Sequence, residues 1–449
     1  MNTVGVYYHS VRLDREKCKG CVNCIKKCPT EAIRVRGGKA EINEEKCIDC
    51  GECIRACPNQ AKYVETDSLE RLSGYRCTIA LPPPSLFGHM RSCASPAQVL
   101  TALTSLGFDA VFEVAVGADV VSGEIRRLFQ RGEIKGPLIS SACPAVVRLI
   151  QVRFPELTGR IMPLSPPTEV AAHLARQEKM SELGLSAEDI GIFFLTPCAA
   201  KVTSVKAPVG GIPSNIDGVI GVHQIYPQLS RCVKKPDRPL LPIRASGSGM
   251  GWGISGGERL AVGIENYLTV DGIHNVISVL EELEMGHLGE IDFIEAQACT
   301  GGCVGGYLHA LNSYVARVQL RKLARELEEK QMTVTEQFPR LAWLHGQLPR
   351  IRVQPRQIIH LDSDIKQAVA KMAEAEKAAK LLPGLDCGAC GAPNCKALAE
   401  DIVLHKAQET DCIFVLRERI MDLSLHVYDL AKIRPPAMNQ PGSEGDDAQ

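Results

Sequence analysis

The stretch Glu295-Ala296-Gln297-Ala298-Cys299-Thr300-Gly301-Gly302-Cys303-Val304-Gly305-Gly306 decides how the rest of the chain is read. Two cysteines four residues apart sit beside two glycine pairs. Glycine lets main chain come close where a side chain would collide, so the pattern suits backbone folded tightly around a metal cluster. Two other segments share its character: Ser140-Ser141-Ala142-Cys143-Pro144-Ala145 and Thr196-Pro197-Cys198-Ala199-Ala200-Lys201. Together the three supply Cys143, Cys198, Cys299 and Cys303, and four thiolates are what one cubane iron–sulfur cluster needs.

Working outward, cysteine usage sets the class of the whole chain. It has 449 residues, 19 cysteines and a formal net charge of −1. That length allows two to four domains. So balanced a charge gives no bulk field to attract nucleic acid or an anionic membrane, and neither is expected as a partner. The N-terminus lacks a signal-peptide pattern, and no apolar run reaches the ~18 residues of a membrane span. A cytoplasmic location follows as the expectation. Reducing cytosol rules out a disulfide framework, so cysteine spacing is read as metal binding. Cys77, Cys93 and Cys232 fall outside every motif and read as small buried hydrophobes.

Near the N-terminus, Cys18-x2-Cys21-x2-Cys24-x3-Cys28-Pro29 is repeated 29 residues later as Cys47-x2-Cys50-x2-Cys53-x3-Cys57-Pro58. The repeat is similar to bacterial ferredoxins with two 4Fe–4S clusters. In that arrangement the fourth cysteine of each run crosses to the other cluster. The resemblance therefore assigns Cys18, Cys21, Cys24 and Cys57 to one cluster, and Cys47, Cys50, Cys53 and Cys28 to the other. Zinc is the competing reading, but zinc sites rarely interleave two four-cysteine runs. A short hairpin is expected around Gly37-Gly38.

Residues 65–74 are polar and read as a connector. Beyond them, Thr78 to Leu81 looks like a buried strand, and Ser95 looks like the cap of a helix carrying Val99, Leu100, Leu103 and Leu106. Asp109 to Val116, Gly136 to Ser140 and Ile190 to Leu195 read as further strands, with a helix over Pro167 to Leu183. Strands alternating with helices argue α/β architecture, and strands ending at cysteine motifs suit ligands delivered from the carboxyl ends of a sheet. Ser246-Gly247-Ser248-Gly249-Met250-Gly251 could pass for a nucleotide loop, but no clear strand with a suitably placed acidic partner accompanies it. No flavin or dinucleotide motif is found. Residues 313–333 and 362–382 read as charged helices. For the second a packing or connecting role is preferred to a signalling coiled coil, since it holds only three heptads.

The three segments around Cys143, Cys198 and Cys299–Cys303 resemble, in order, the TSCCP, MPCxxK and ExMxCxxGCxxGG motifs of the iron-only (FeFe) hydrogenases. The resemblance covers roughly residues 75 to 345. It implies two sheet-containing lobes with an H-cluster between them, a 4Fe–4S cubane joined by one thiolate to a two-iron unit carrying CO and cyanide. By this likeness Cys143, Cys198, Cys299 and Cys303 hold the cubane, and Cys303 also bridges to the two-iron unit. Lys201 falls on the lysine that hydrogen-bonds a cyanide ligand, a charge-assisted contact. The 246–251 loop becomes a wall of the site.

Departures from the family pattern, above all at residues 142, 297 and 124, shape the functional expectation. Ala142 stands where the family has a proton-relaying cysteine, and alanine has no ionisable group. Gln297 stands where the family has a methionine, so an amide capable of donating a hydrogen bond replaces a thioether. Glu258-Arg259 follows Gly256-Gly257, where a methionine is usual. The pair of acidic relay residues expected after Gly117-Ala118-Asp119 is thinned to Glu124. These changes match the sensory branch of the family that lacks a PAS domain, with slow turnover of 2H⁺ + 2e⁻ ⇌ H₂. The implied partners are hydrogen and protons, the maturation proteins that load the di-iron unit, and a redox partner. The last would be a ferredoxin or a signalling kinase or phosphatase. The alternative is an electron-transfer or iron–sulfur assembly protein with cubanes but no di-iron unit. Lys201 and the Cys299–Cys303 pair speak against it.

At the far end, Cys387-x2-Cys390-x4-Cys395-x16-Cys412 resembles the small 4Fe–4S domain of corrinoid iron–sulfur proteins, with structural zinc as the other option. The full expectation is an α/β multidomain protein. A two-cluster ferredoxin domain spans 1–66, an H-cluster domain 75–345 and a connecting segment and helix 346–382. A C-terminal 4Fe–4S domain spans 383–433, and a disordered tail 434–449. It would carry three 4Fe–4S clusters besides the H-cluster.

Overall fold

The computed structural model describes residues 8–90, 94–234, 238–329, 348–356, 361–362, 364–433 and 435. The readings of Cys93, of residues 330–333 as helix and of the tail beyond residue 435 lie outside the described residues. The chain divides into two compact units. One contains residues 1–19, 27–32 and 42–358; the other contains residues 20–26, 33–41 and 359–449.

The first unit is built on two parallel sheets. One has the order β6-β5-β8-β9, from β5 (Cys77–Leu81), β6 (Ala110–Val111), β8 (Ile190–Thr196) and β9 (Gly218–Gly221). Every residue of β5 and β8 is buried, as expected of parallel strands covered on both faces. The other sheet has the order β10-β11-β7, from β7 (Leu138–Ile139), β10 (Tyr267–Asp271) and β11 (Phe293–Gln297). Val120, Val121, Ile125 and Leu128 of helix Val114–Gln130 join Leu138 of β7 and Phe293 of β11 in one core. Opposite them, helices Pro144–Arg153 and Ile273–Glu284 pack on Ile139, Ile294 and Ala296. The expected strand and helix positions are found, with one correction. Asp109 to Val116 is a strand for only two residues, and a helix begins at Val114 behind the N-cap Glu113. A short apolar run carries no periodicity to separate a strand from the first turn of a buried helix.

Ser95 caps helix Pro96–Thr104 with a reciprocal capping box to Gln98. The polar 65–74 connector contains a 3₁₀ turn over Leu69–Gly74, and Asp67 accepts a hydrogen bond from the Val219 amide. Cys77 is buried as expected, while Cys232 is partly exposed.

The N-terminal repeat is visible as repeated geometry. The Cys28 thiol accepts a bond from the Ala32 amide at 3.2 Å, and the Cys57 thiol from the Ala61 amide at 3.3 Å. Glu31 and Gln60, one repeat apart, both take positive φ. Asp14 and Asn43, also one repeat apart, each cap the turn that follows. Strands β1 (Val11–Leu13) and β4 (Lys62–Val64) pair antiparallel. The expected hairpin is formed by β2 (Ile33–Arg36) and β3 (Lys39–Ile42), with both turn glycines at positive φ.

In the second unit, helices Ile365–Leu381 and Cys395–Val403 pack together around Leu382, Ala397 and Leu398. The hairpin docks on this core. The Val35 amide donates to the Gly391 carbonyl at 2.8 Å, and an added Cβ at Gly391 would sit 2.0 Å from Val35 O. Asp401, almost fully buried, accepts from Arg34 and Arg36, each at 2.7 Å. Removing one partner of such a buried group strands the others. Asp401→Ala is expected to cost this unit about 3 kcal/mol of local stability, read as faster amide hydrogen exchange across Cys395–Val403. Unchanged protection there would show that the paired arginines contribute nothing net.

Candidate metal centre

Each of the three motif segments leaves the carboxyl end of a strand in the first unit. β7 ends at Ile139 and Cys143 follows as the N-cap of helix Pro144–Arg153. β8 ends at Thr196 and Cys198 is the N-cap of helix Ala199–Lys206. β11 ends at Gln297, two residues before Cys299. Helix N-termini favour negative charge, the sign a metal-bound thiolate carries.

The three loops meet at a cavity lined by Cys143, Cys198, Cys299, Cys303, Lys201, Ala142 and Gln297. Pro83, Pro84, Val114, Phe194 and Trp252 complete an apolar wall. Burial, opposed by Lys201 and reinforced by the nearby Cys303 and Cys143, pushes the Cys198 thiol up to about 12. Burial also raises Cys299 and Cys303. Burial works against the charge of Lys201, yet the four surrounding thiols hold its pKa above the ordinary lysine value. Its Nζ donates to the Ala142 carbonyl at 3.3 Å. Four converging thiols, three of them pushed up by burial, with one ammonium beside them, fit an iron–sulfur group whose iron supplies the compensating positive charge.

The glycines of the third motif make the close approach possible. Gly302 has φ 96°, and an added Cβ would lie 2.6 Å from both Gln297 Oε1 and the Ser255 amide nitrogen. Gly306 leaves room for the Pro197 carbonyl, which an added Cβ would reach at 2.6 Å. The 246–251 loop is a short helix capped by Ser246. Among the described residues its members do not line the cavity; Trp252 and Gly253, just after it, do.

Beneath Ala142 and Gln297 lies a buried carboxyl pair. The Ser140 hydroxyl bonds both Glu258 oxygens, at 2.6 and 2.8 Å, and accepts from the Ala142 amide at 3.1 Å. Glu295 accepts from the Gly256 and Arg259 amides at 2.8 and 2.9 Å, and from Gln297 Nε2 at 3.3 Å. Gln297 Oε1 is buried without a hydrogen-bond partner. Burial, reinforced by the Glu295 charge, lifts Glu258 well above the carboxylate range, and burial lifts Glu295 too. Glu124 is turned to Arg127 in a bidentate pair at 2.7 and 2.8 Å.

The second cysteine run of the N-terminal repeat abuts this centre. Cys28, Cys47, Cys50 and Cys53 lie close enough for one thiol's charge to raise the pKa of another, with burial the larger cause. This is the crossed grouping implied by the ferredoxin resemblance. Arg55 Nη2 lies 3.5 Å from the Cys299 thiol and also donates to the Gly305 carbonyl. Gly51 rests on the ring of Tyr307, whose hydroxyl bonds the Ala199 amide. Asp49 is buried between Ile48 and Cys50. It pairs with His9 Nδ1 at 2.7 Å and accepts from Thr203 Oγ1 at 2.9 Å. Burial opposes its ionisation, but His9, Thr203 and Arg148 outweigh burial and hold it below the usual range. His89 and His309 stack at 3.9 Å behind the Cys303 loop, both pushed down by burial and therefore neutral. Asp49, Arg55, Tyr307 and the histidine pair carry no motif, so the sequence did not single them out. The one available signal was the difference between the repeats, where Ile48-Asp49 replaces Lys19-Gly20.

The remaining cysteines fall into two groups. Cys18 and Cys57 belong to the first unit, Cys21 and Cys24 to the second. Cys387, Cys390, Cys395 and Cys412 all lie in the second unit. Burial raises Cys390, with Cys387 and Cys412 nearby adding to it. Cys390, Cys395 and Cys412 share one core. Asp386 accepts the Cys395 amide at 2.7 Å, and Gly388 and Gly391 take positive φ to turn the loop.

Residues 78–237 and 245–307 match the family "iron only hydrogenase large subunit, C-terminal domain". Residues 10–58 match a 4Fe-4S dicluster domain and 382–414 an iron–sulfur cluster family. Iron hydrogenase 1 of Clostridium pasteurianum is 26% identical over 275 residues, covering 50% of this chain and 48% of its own length. The NADP-reducing hydrogenase subunit HndD of Solidesulfovibrio fructosivorans is 24% identical over 262 residues, covering 46% and 44%. The chain thus spans about half the length of the curated relatives it matches. Among solved structures, a Glu-to-Gln variant of the FeFe hydrogenase HydA1 from Chlamydomonas reinhardtii superposes with a TM-score of 0.50 at 15% identity. It covers 65% of this chain and 98% of that one. The FeFe hydrogenase HydA(deltaEFG), from a study of stepwise H-cluster assembly, gives the same values. The chain belongs to the FeFe hydrogenase family, and its iron–sulfur character follows with it. No helix among the described residues is long and apolar enough to cross a membrane.

Gly302→Ala is expected to displace the loop carrying Cys303, because neither the Ser255 backbone nor a buried amide can yield. Iron bound per chain should fall, while the N-terminal and C-terminal cluster absorption persists. A variant with full iron content would contradict the close packing inferred here.

Proposed function

We propose that this chain is an FeFe hydrogenase of low turnover that reports hydrogen or redox state to a partner protein. Cys143, Cys198, Cys299 and Cys303 would hold the H-cluster, whose two-iron unit supplies the making and breaking of the H–H bond. The observation that carries the reading is Ala142. It lines the cavity beside Lys201, where a proton-relaying thiol would belong, while the thiol set around it is complete.

The protein's own residues then divide the work. Lys201 places a fixed positive charge at the floor of the cavity, suited to an anionic ligand. Prolines and Trp252 exclude water from the apolar side. Glu258 and Glu295 retain protons at neutral pH better than ordinary carboxyls do, because burial disfavours their ionised forms and the Glu295 charge adds to this at Glu258. They lie on the Ser140 and Gln297 side of the cavity, so they store protons near the centre without lining it. With Glu295 ionised, Gln297 turns its Nε2 to the carboxylate. With Glu295 protonated, the amide can reverse and offer Nε2 to the cavity instead.

Electrons would reach the centre through the cluster of Cys28, Cys47, Cys50 and Cys53, which Arg55 and Tyr307 hold against the Cys299 loop. Cys18, Cys21, Cys24 and Cys57 would hold a further cluster, and the four C-terminal cysteines another. Loading of the two-iron unit would require maturation proteins. A ferredoxin, kinase or phosphatase would read the redox state.

Hydrogen evolution by the matured protein tests the reading. Ala142→Cys should raise the rate by about 100-fold, the usual scale for a restored general acid. Glu258→Gln should lower the residual wild-type rate about tenfold and flatten its decline with rising pH. A fast wild type, or no gain from the cysteine, would show that proton delivery at residue 142 does not limit this enzyme.

A further inference from the structure

The last described helix, Ile413–Lys432, has no buried residue, although more than half of its side chains are apolar. Such a surface is unusual on a monomer. Its apolar residues are not scattered. Ile413, Leu416, Ile420, Leu423, Val427 and Leu430 follow one another at intervals of three, four, three, four and three residues. They are 41–65% exposed. This is the a/d pattern of a heptad repeat. The a positions are Ile413, Ile420 and Val427, all β-branched, and the d positions are Leu416, Leu423 and Leu430, all leucine. β-Branched residues at a with leucine at d favour a parallel two-stranded coiled coil.

We propose that this helix is the dimerisation element of the chain, and that its partner is the same helix of a second copy in parallel register. Three further observations favour a second copy. In parallel register Arg419 would face Ser424 and His426 would face Ala431, so no like charges meet across the seam. Covering six half-exposed aliphatic side chains on each of two helices removes on the order of 1,200 Å² from water, the lower end of what a stable interface buries. Phe414, Met421 and Tyr428 repeat at the b position and extend the seam along one flank.

The seam starts one residue after Cys412, which is also the N-cap of the helix. Pairing would therefore tie the C-terminal cysteine cluster of each copy directly to the two-stranded rod. The inference does not depend on hydrogen turnover and stands or falls separately from it.

Light scattering coupled to size exclusion, on the full chain with its clusters intact, tests the proposal. The wild type is expected to have the mass of a dimer. Leu423→Asp places a charge in the seam and should give a monomer with unchanged cluster absorption and iron content. The triple variant Leu416→Ile, Leu423→Ile, Leu430→Ile keeps the apolar surface but puts β-branched residues at every seam position. It should shift the assembly to a trimer or tetramer. A monomeric wild type, a dimer that survives Leu423→Asp, or a triple variant of unchanged mass would each overturn the proposed pairing.

Discussion

Four thiols from three distant loops must share one water-poor cavity, and most of the first unit serves that demand. Burial raises Cys198, Cys299 and Cys303, so the site resists charge unless something cationic completes it. The fold offsets part of this cost. Two of the four cysteines cap helices, and Lys201 projects from the first turn of one of those helices into the middle of the set. Two separate parallel sheets are needed because one sheet could not aim loops at the cavity from both sides. Glycine at 302 and 306 lets backbone close the remaining gap.

The same logic extends to the neighbouring cysteine run. A cluster loop placed near the cavity has to be held rigidly, since electron transfer weakens steeply with distance. Asp49 does this with a buried charge rather than with apolar packing. It ties the loop to Thr203, on the helix that starts at Cys198, and feels Arg148, on the helix that starts at Cys143. The two helices that present the thiols thus also anchor the loop that would feed them. Arg55 completes the contact on the opposite face, beside the Cys299 thiol.

How much of this could be read from the sequence depends on the range of the interaction involved. Ligand spacing is local, so Cys143, Cys198, Cys299, Cys303 and Lys201 were legible, and the structure brings all five to one cavity. The 29-residue repeat was legible for the same reason, down to matching amide-to-thiol bonds at Cys28 and Cys57. Asp49 and Arg55 were not, because their partners lie 154 and 244 residues away and no short pattern encodes such a pairing. The 109–116 segment is ambiguous in sequence because its six apolar residues fit a strand and a helix start equally well. Glu258 was visible as a departure, but its burial against Ser140 and beside Glu295 was not. The heptad spacing in the last helix is as local as the cysteine spacing, and it begins at Ile413, directly after Cys412.

The central claim is that the gathered thiols hold an organometallic di-iron appendage and not a cubane alone. Infrared spectroscopy of fully matured protein tests it most directly, because metal-bound CO and cyanide absorb where protein does not. The account predicts bands in that region that shift when hydrogen is admitted. Protein with its full complement of iron and inorganic sulfide but no such bands would contradict it.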